Sequence, residues 1–164
     1  MGGAMLKGWL SAKNTRQEII VVEPNNNNSA PFQNVKSVRI VDDADLIDRT
    51  LVPTAIIIAV KPQIINKIIE KFKRFTDLDC LFLSIMAGKT VSYLEQTLGA
   101  SPIVRTMPNT PASVGRGITV AYANEYTSMN QKNLSAELLG PLGKLRWTNM
   151  EASLDAVTAL TLLI

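Results

Sequence analysis

The residues best placed to do chemistry begin at the first position. Met1-Gly2-Gly3-Ala4-Met5-Leu6-Lys7-Gly8 opens directly on a helical pattern. A loop of the form Gly-x-Gly-x-x-Gly docks a pyrophosphate on the unpaired N–H groups of a helix start. Gly2 can be the last glycine of that form and Met1 the residue before it. Glu23 follows a β-branched run, Ile-Ile-Val-Val, and precedes Pro24 and Asn25. It lies about 20 residues beyond the glycines, the spacing at which a carboxylate accepts both adenosine ribose hydroxyls. Each feature also has a plainer reading: an initiator methionine before two helix-start glycines, and an ordinary glutamate at a strand end.

Three further strand ends carry small, rigid or polar groups. Ala59-Val60-Lys61-Pro62 closes the most apolar run, and Lys61 could contact a ribose or a phosphate. Ala87-Gly88 closes the next, where small side chains let a flat ring approach the backbone. Met107-Pro108-Asn109-Thr110-Pro111 closes a third, with two prolines stiffening the loop around Asn109 and Thr110. In open α/β sheets ligands bind beyond the carboxyl ends of strands. One such loop is usually structural. Three together, with an acidic residue on another strand, favour a nucleotide cleft.

Composition removes much other chemistry. The 164 residues hold no histidine, so His-based triads, most catalytic zinc sites and the commonest general base are excluded. No disulfide can form within the chain, because Cys80 is the only cysteine, and it sits in an apolar run that reads as an inert core strand. The charge of +3 is small and scattered, which argues against a nucleic-acid partner. Its one cluster, Lys71, Lys73 and Arg74, reads as a solvated helix face. No apolar run reaches the ~20 residues that cross a bilayer, and the first residues lack the pattern of a signal peptide. A cytoplasmic setting is the expectation.

The elements that must position these groups alternate in type. Helical spacing is expected over Met1–Ala12, 62–72, Val91–Leu98, Met129–Leu139 and from Glu151 onward. Strands are expected over Glu18–Val22, Val35–Val41, Thr54–Val60, Leu81–Ile85, Ile103–Met107, Ile118–Ala123 and Lys144–Trp147. Asn25–Pro31 reads as a loop and Asp42–Thr50 as a short acidic helix. Pro62 opens its helix, with Ile64, Ile65, Ile68, Ile69 and Phe72 as the apolar stripe. The alternation implies an α/β fold, a mainly parallel sheet with helices on both faces.

In order along the chain, these motifs resemble the pyrroline-5-carboxylate reductases. The likeness is carried by Met1–Gly8, Ala59-Val60-Lys61-Pro62-Gln63, Ala87-Gly88-Lys89-Thr90-Val91 and, most specifically, Arg105-Thr106-Met107-Pro108-Asn109-Thr110-Pro111. Gly115–Thr119 and Asp155–Leu160 continue it. The resemblance implies a Rossmann-like domain over 1–150 that lacks its first strand, and the start of a helical dimerisation domain over 151–164. It implies hydride transfer from NAD(P)H to the C=N carbon of 1-pyrroline-5-carboxylate, giving L-proline. Met1, Glu23, Pro24, Asn25, Ala59, Val60, Lys61, Pro62 and Ala87 would then line the cofactor site, with Asn109 and Thr110 near the nicotinamide. Glu23 favours NADH over NADPH. Two departures from the family accompany this: the first strand with two loop glycines is not present, and after Leu160-Thr161 the chain reads Leu162-Leu163-Ile164 where the family continues. The expectation is a fragment, inactive alone, whose intact relatives assemble through the helical domain. A non-catalytic remnant and another NAD(P)-dependent dehydrogenase are the alternatives.

Overall fold

The computed structural model describes residues 1–11 and 18–161, and no side chain at 113 or 159–161. Ala12, the proposed end of the first helix, and the apolar residues 162–164 lie outside that range. Among the described residues, seven strands form two ladders. β1 (Ile19–Val22) pairs in parallel with β2 (Val38–Val41). The second ladder runs β3 (Ala55–Ile58), β4 (Leu81–Ser84), β5 (Ile103–Pro108), β6 (Gly117–Ala123) and β7 (Gly143–Trp147). β3, β4 and β5 are parallel, β6 reverses against β5, and β7 is parallel to β6. Strands at Ile57, Phe82 and Val104 therefore run the same way, as does Ile19 with its own neighbour.

Helices cover both faces, because the strands are apolar on both. On β4, Phe82 enters one cluster with Ile65 and Ile69 of α3 (Ile65–Phe72) and with Val91, Leu94 and Leu98 of α4 (Val91–Leu98). Leu81 and Leu83 enter the other with Met5 of α1 (Gly2–Ser11) and Leu139 of α5 (Met129–Leu139). Period-two alternation thus splits one strand between two cores. All four β4 residues are buried. The last helix, α6 (Ser153–Thr161), packs on β5 and β6, with Leu154 fully buried. Where β6 and β7 begin, Gly143 holds φ +119, and a Cβ there would strike the backbone of Gly117.

Four sequence readings need correction. Asn25–Pro31 is not a plain loop: Asn26–Ser29 is a short helix, α2, followed by a 3-10 turn over Ala30–Phe32. Asn25 caps it by accepting the Asn27 N–H at 3.0 Å, which is the local competition that makes asparagine a helix starter as well as a loop residue. The acidic helix over Asp42–Thr50 reduces to a 3-10 turn at Ala44–Leu46. Asp43 and Asp48 take backbone N–H groups into their own side chains and so break the helix up. Pro62 does not open α3, which begins at Ile65, and Ile64 is 43% exposed outside the stripe. The basic cluster is not simply solvated. Lys71 bonds Asp43 and Asp45, while Arg74 lies over the Phe75 ring and donates to the carbonyls of Ala44 and Ile47.

Candidate functional site

The first strand end is β1. The Glu23 N–H donates to the Val41 carbonyl, so the ladder holds the backbone here. The half-buried side chain bends back, and Oε1 accepts the Asn25 N–H at 2.9 Å. Asn25 then starts α2, so Glu23, exposed Pro24 and Asn25 form one tight turn with the carboxylate fixed in it. A carboxylate held this way is a preset acceptor for paired hydroxyls.

The second end is β3. Ala59 and Lys61 are exposed, and Val60 packs against the core. The Lys61 carbonyl accepts the Ile64 N–H, so Lys61-Pro62 sits in a turn ahead of α3. Here the helix start arrives. A Cβ built on Gly2 would lie 3.0 Å from the Ala59 Cβ, closer than side chains normally tolerate. A side chain at Gly2 would push α1 and the Ala59 end of β3 apart by a few tenths of an ångström. The Met1 carbonyl accepts the Ala4 and Met5 N–H groups, which sets Met1 at the head of the helix. The N-terminal glycine and the Ala59 end are therefore one place.

The third end is β4. Ala87 is half-buried, and Gly88 holds φ +69, a left-handed turn suited to glycine. Thr90 caps α4 by accepting the Tyr93 N–H. Lys89 lies 3.8 Å over the Tyr93 ring, and the Tyr93 hydroxyl hydrogen-bonds Asn66 on α3. The loop is thus tied to two helices.

The fourth end is β5. Asn109 Oδ1 accepts the Ile118 N–H at 2.9 Å, and the Asn109 N–H donates to the Ile118 carbonyl. Its amide oxygen is used in closing the turn onto β6. Thr110 begins a 3-10 turn that runs to Val114. Ladder register puts the ends of β3, β4 and β5 on one edge. Glu23, Pro24 and Asn25 stand on the other ladder, with no described contact to that edge. The two are joined underneath, since Val22 and Val60 pack on the same core cluster.

One feature beside this edge escaped sequence reading. Arg105, on β5, is 2% exposed and bonds Glu151 at 2.9 Å and Asp155 at 2.7 Å. Glu151 Oε1 also accepts the Val91 N–H at 2.7 Å. The triad joins the sheet, α4 and α6. An arginine in the apolar run Ile103–Pro108 was the available signal, because a buried cation demands a partner. Cys80 lies at the other end of its strand, fully buried, with its thiol pushed up to about 12, first by burial and then by Asp79. The thiol is thus held protonated and out of solvent. Among the described residues no helix is long and apolar enough to cross a membrane.

Known proteins share this architecture. Residues 1–88 match the family model described as NADP oxidoreductase coenzyme F420-dependent. The chain belongs to this family. A pyrroline-5-carboxylate reductase of Haemophilus influenzae is 32% identical over 160 residues, which are 97% of this chain and 58% of that protein. One from Pisum sativum is 28% identical over 87% of this chain and 51% of its own length. The solved pyrroline-5-carboxylate reductase of Coxiella burnetii superposes with a TM-score of 0.86 at 28% identity, over 98% of this chain and 59% of that one. Prephenate dehydrogenase of Aquifex aeolicus, at 14% identity and a TM-score of 0.73, shares the fold alone. The chain spans a little over half the length of the curated relatives it matches. The Rossmann-like α/β fold and the likeness to pyrroline-5-carboxylate reductases both follow.

Proposed function

We propose that this chain is the dinucleotide-binding part of a pyrroline-5-carboxylate reductase, with residues 1–150 forming that part and residues from 151 opening a helical domain. The observation that carries the reading is the meeting of Gly2 with Ala59 at the carboxyl edge that Lys61, Ala87 and Asn109 also reach. The residues fit a dinucleotide. A glycine-led helix start offers N–H groups to a pyrophosphate, and a fixed carboxylate at Glu23 accepts a ribose diol.

When bound, NAD(P)H would supply the hydride that reduces the C=N bond of 1-pyrroline-5-carboxylate to L-proline. The work of the chain is binding and orientation. Met1 and Gly2 would hold phosphate at the α1 start. Glu23, with Pro24 and Asn25 shaping its turn, would hold the adenosine ribose. Ala59, Val60, Lys61 and Pro62 would line the middle, and Ala87 would admit a flat ring. Asn109 and Thr110 shape the far wall. A carboxylate at Glu23 repels a 2′-phosphate, so NADH is preferred over NADPH. A lone buried thiol suits a reducing cytoplasm. Assembly and substrate contacts come from the helical domain beyond residue 150. Residues 1–164 alone fix neither partner well, and alignment of donor and acceptor accounts for ~7–11 kcal/mol of barrier lowering in such reactions.

The test is NADH oxidation with pyrroline-5-carboxylate by two proteins. One is this chain. The other is the H. influenzae reductase with its matched 160 residues replaced by those of this chain. The hybrid is expected to turn over and the chain alone to show nothing measurable. A folded hybrid that reduces no pyrroline, or a lone chain within tenfold of an intact reductase, would overturn the reading.

A further inference from the structure

Two carboxylates meet the buried guanidinium of Arg105, and they are not equivalent. Among the described residues the Asp155 carboxylate bonds Arg105 alone, and it is 61% exposed. Glu151 is 23% exposed, and its Oε1 serves two donors. It accepts from Arg105 Nη1 at 2.9 Å and from the Val91 N–H at 2.7 Å. The need of a buried cation for partners explains the first bond. It does not explain the second, which goes to the first residue of α4. A carboxylate there also suits the positive end of that helix.

Val91 closes the turn that leaves β4. The near end of this turn is fixed by the sheet: the Ile85 N–H donates to the Ile58 carbonyl, and the Thr106 hydroxyl to the Ser84 carbonyl. Among the described residues, the N–H groups from Ala87 to Thr90 donate to no group of the chain. Lys89 and Thr90 contact Tyr93, but Tyr93 belongs to α4, so those contacts travel with the helix. Val91, Leu94 and Leu98 seat α4 on the core, and the Glu151 bond ties its first residue to β5. Arg105 lies opposite Ser84 in the ladder, on the strand that leads to Asn109. One oxygen thus links the turn carrying Ala87 to the strand that leads to Asn109.

We infer that Glu151 is a positioning residue: through Val91 and Arg105 it holds the Ala87–Lys89 turn where the flat ring of a dinucleotide must lie. This rests on the reading of Ala87 as the place of that ring. Glu151 acts through two other residues and not by its own contact with a ligand. The adenosine and pyrophosphate end is assigned to Glu23 and Gly2, on other elements. Loss of Glu151 therefore leaves most of the binding and spoils the alignment of the ring. Alignment is felt in kcat, whereas binding shared by ground and transition states is felt in KM.

Four variants separate this role from that of a structural ion pair. Glu151→Leu removes the acceptor, and Glu151→Gln keeps an oxygen for Val91. Asp155→Leu removes the other carboxylate. Val91→Pro deletes the N–H and leaves both carboxylates on Arg105. Proline suits a first helical turn, and Thr90, at ψ 163, already has the extended backbone that proline demands before it. In the full chain without cofactor, Val91 amide exchange should quicken at least about tenfold in Glu151→Leu, beyond what its urea stability accounts for, and stay within about threefold of the parent in Glu151→Gln and Asp155→Leu. In the hybrid reductase, kcat should fall about tenfold in Glu151→Leu and in Val91→Pro, with KM for NADH within about twofold, and the double variant should lose no more than either. Glu151→Gln should restore most of that loss, and Asp155→Leu should keep the parent kcat. Unchanged Val91 exchange in Glu151→Leu overturns the inference, as does an equal kcat loss in Asp155→Leu or a loss confined to KM. Should Glu151→Leu not fold, Val91→Pro decides, and a parent-like kcat there overturns the inference. A parent hybrid without turnover sinks the reductase reading instead, and Val91 exchange then decides whether Glu151 holds the turn.

Discussion

Replacing Arg105 with methionine should destabilise the chain by about 2 kcal/mol. Removing one member of a fully buried ion pair costs ~3–5 kcal/mol, because the other charge is stranded. Here the stranding is partial. The guanidinium side chain is 2% exposed, but Glu151 is 23% and Asp155 61% exposed. Asp155 can return to water at little cost. Glu151 keeps the Val91 N–H at 2.7 Å and has some solvent of its own. The methionine refills most of the volume that the arginine stem occupied. What remains is a poorly compensated carboxylate and two lost charge-assisted bonds, which places the cost below the fully buried range. For a chain of this size ~2 kcal/mol lowers Tm by roughly 4–8 °C. Asp155→Asn should cost under about 1 kcal/mol, as an exposed pair does. Glu151→Gln should fall between, since its amide oxygen can still accept from Val91. Urea unfolding followed by circular dichroism gives all three values. A Met variant as stable as the parent, or an Asp155→Asn variant as damaged as Arg105→Met, would refute this ranking by burial.

Three further outcomes follow from the same contacts. Asn109→Asp should unfold like the parent because it still accepts the Ile118 N–H, whereas Asn109→Ala should lose about 1 kcal/mol in urea. Cys80 should resist a thiol reagent at pH 8 until the chain unfolds. Its folded thiol keeps the proton while the unfolded one ionises near ~8.5, so its stabilising contribution is complete below that pH and declines as pH rises toward about 12; Cys80→Ala should flatten the alkaline slope of a urea series. In the hybrid reductase, Glu23→Gln should narrow the NADH-over-NADPH ratio in kcat/KM by about tenfold, or ~1.4 kcal/mol, and an unchanged ratio would remove Glu23 from cofactor choice.

The fold was legible because period and composition agreed along most of the chain. The continuous apolar run over Thr54–Val60 marks a parallel strand, and Ala55–Ile58 pairs in parallel with Leu81–Ser84, which is buried throughout while Ala55, Ile56 and Ile57 are half-buried. The helices over Val91–Leu98 and Met129–Leu139 lie where their spacing predicts, and Thr90 and Ser128 cap them. Local rules failed where side chains compete for the backbone. Asn25 and Asp43 each take an N–H two residues on, and one such bond starts a helix while the other leaves only a turn. The strand ends could be read as one edge, since the register brings the ends of β3, β4 and β5 together. The reversal of β6 could not be read, because its apolar pattern is the same in either direction. Nor could the Arg105 triad, whose partners lie 46 and 50 residues away, at a separation that no local pattern encodes.

The most direct test of the site is amide exchange on the hybrid reductase as NADH is added. The account predicts slowed exchange at Glu23–Asn25, at 60–63 around Lys61, and at Ala87–Lys89, with Lys144–Trp147 on the far edge unchanged. Protection confined to β6 and β7, or to the amino ends of the strands, would contradict it.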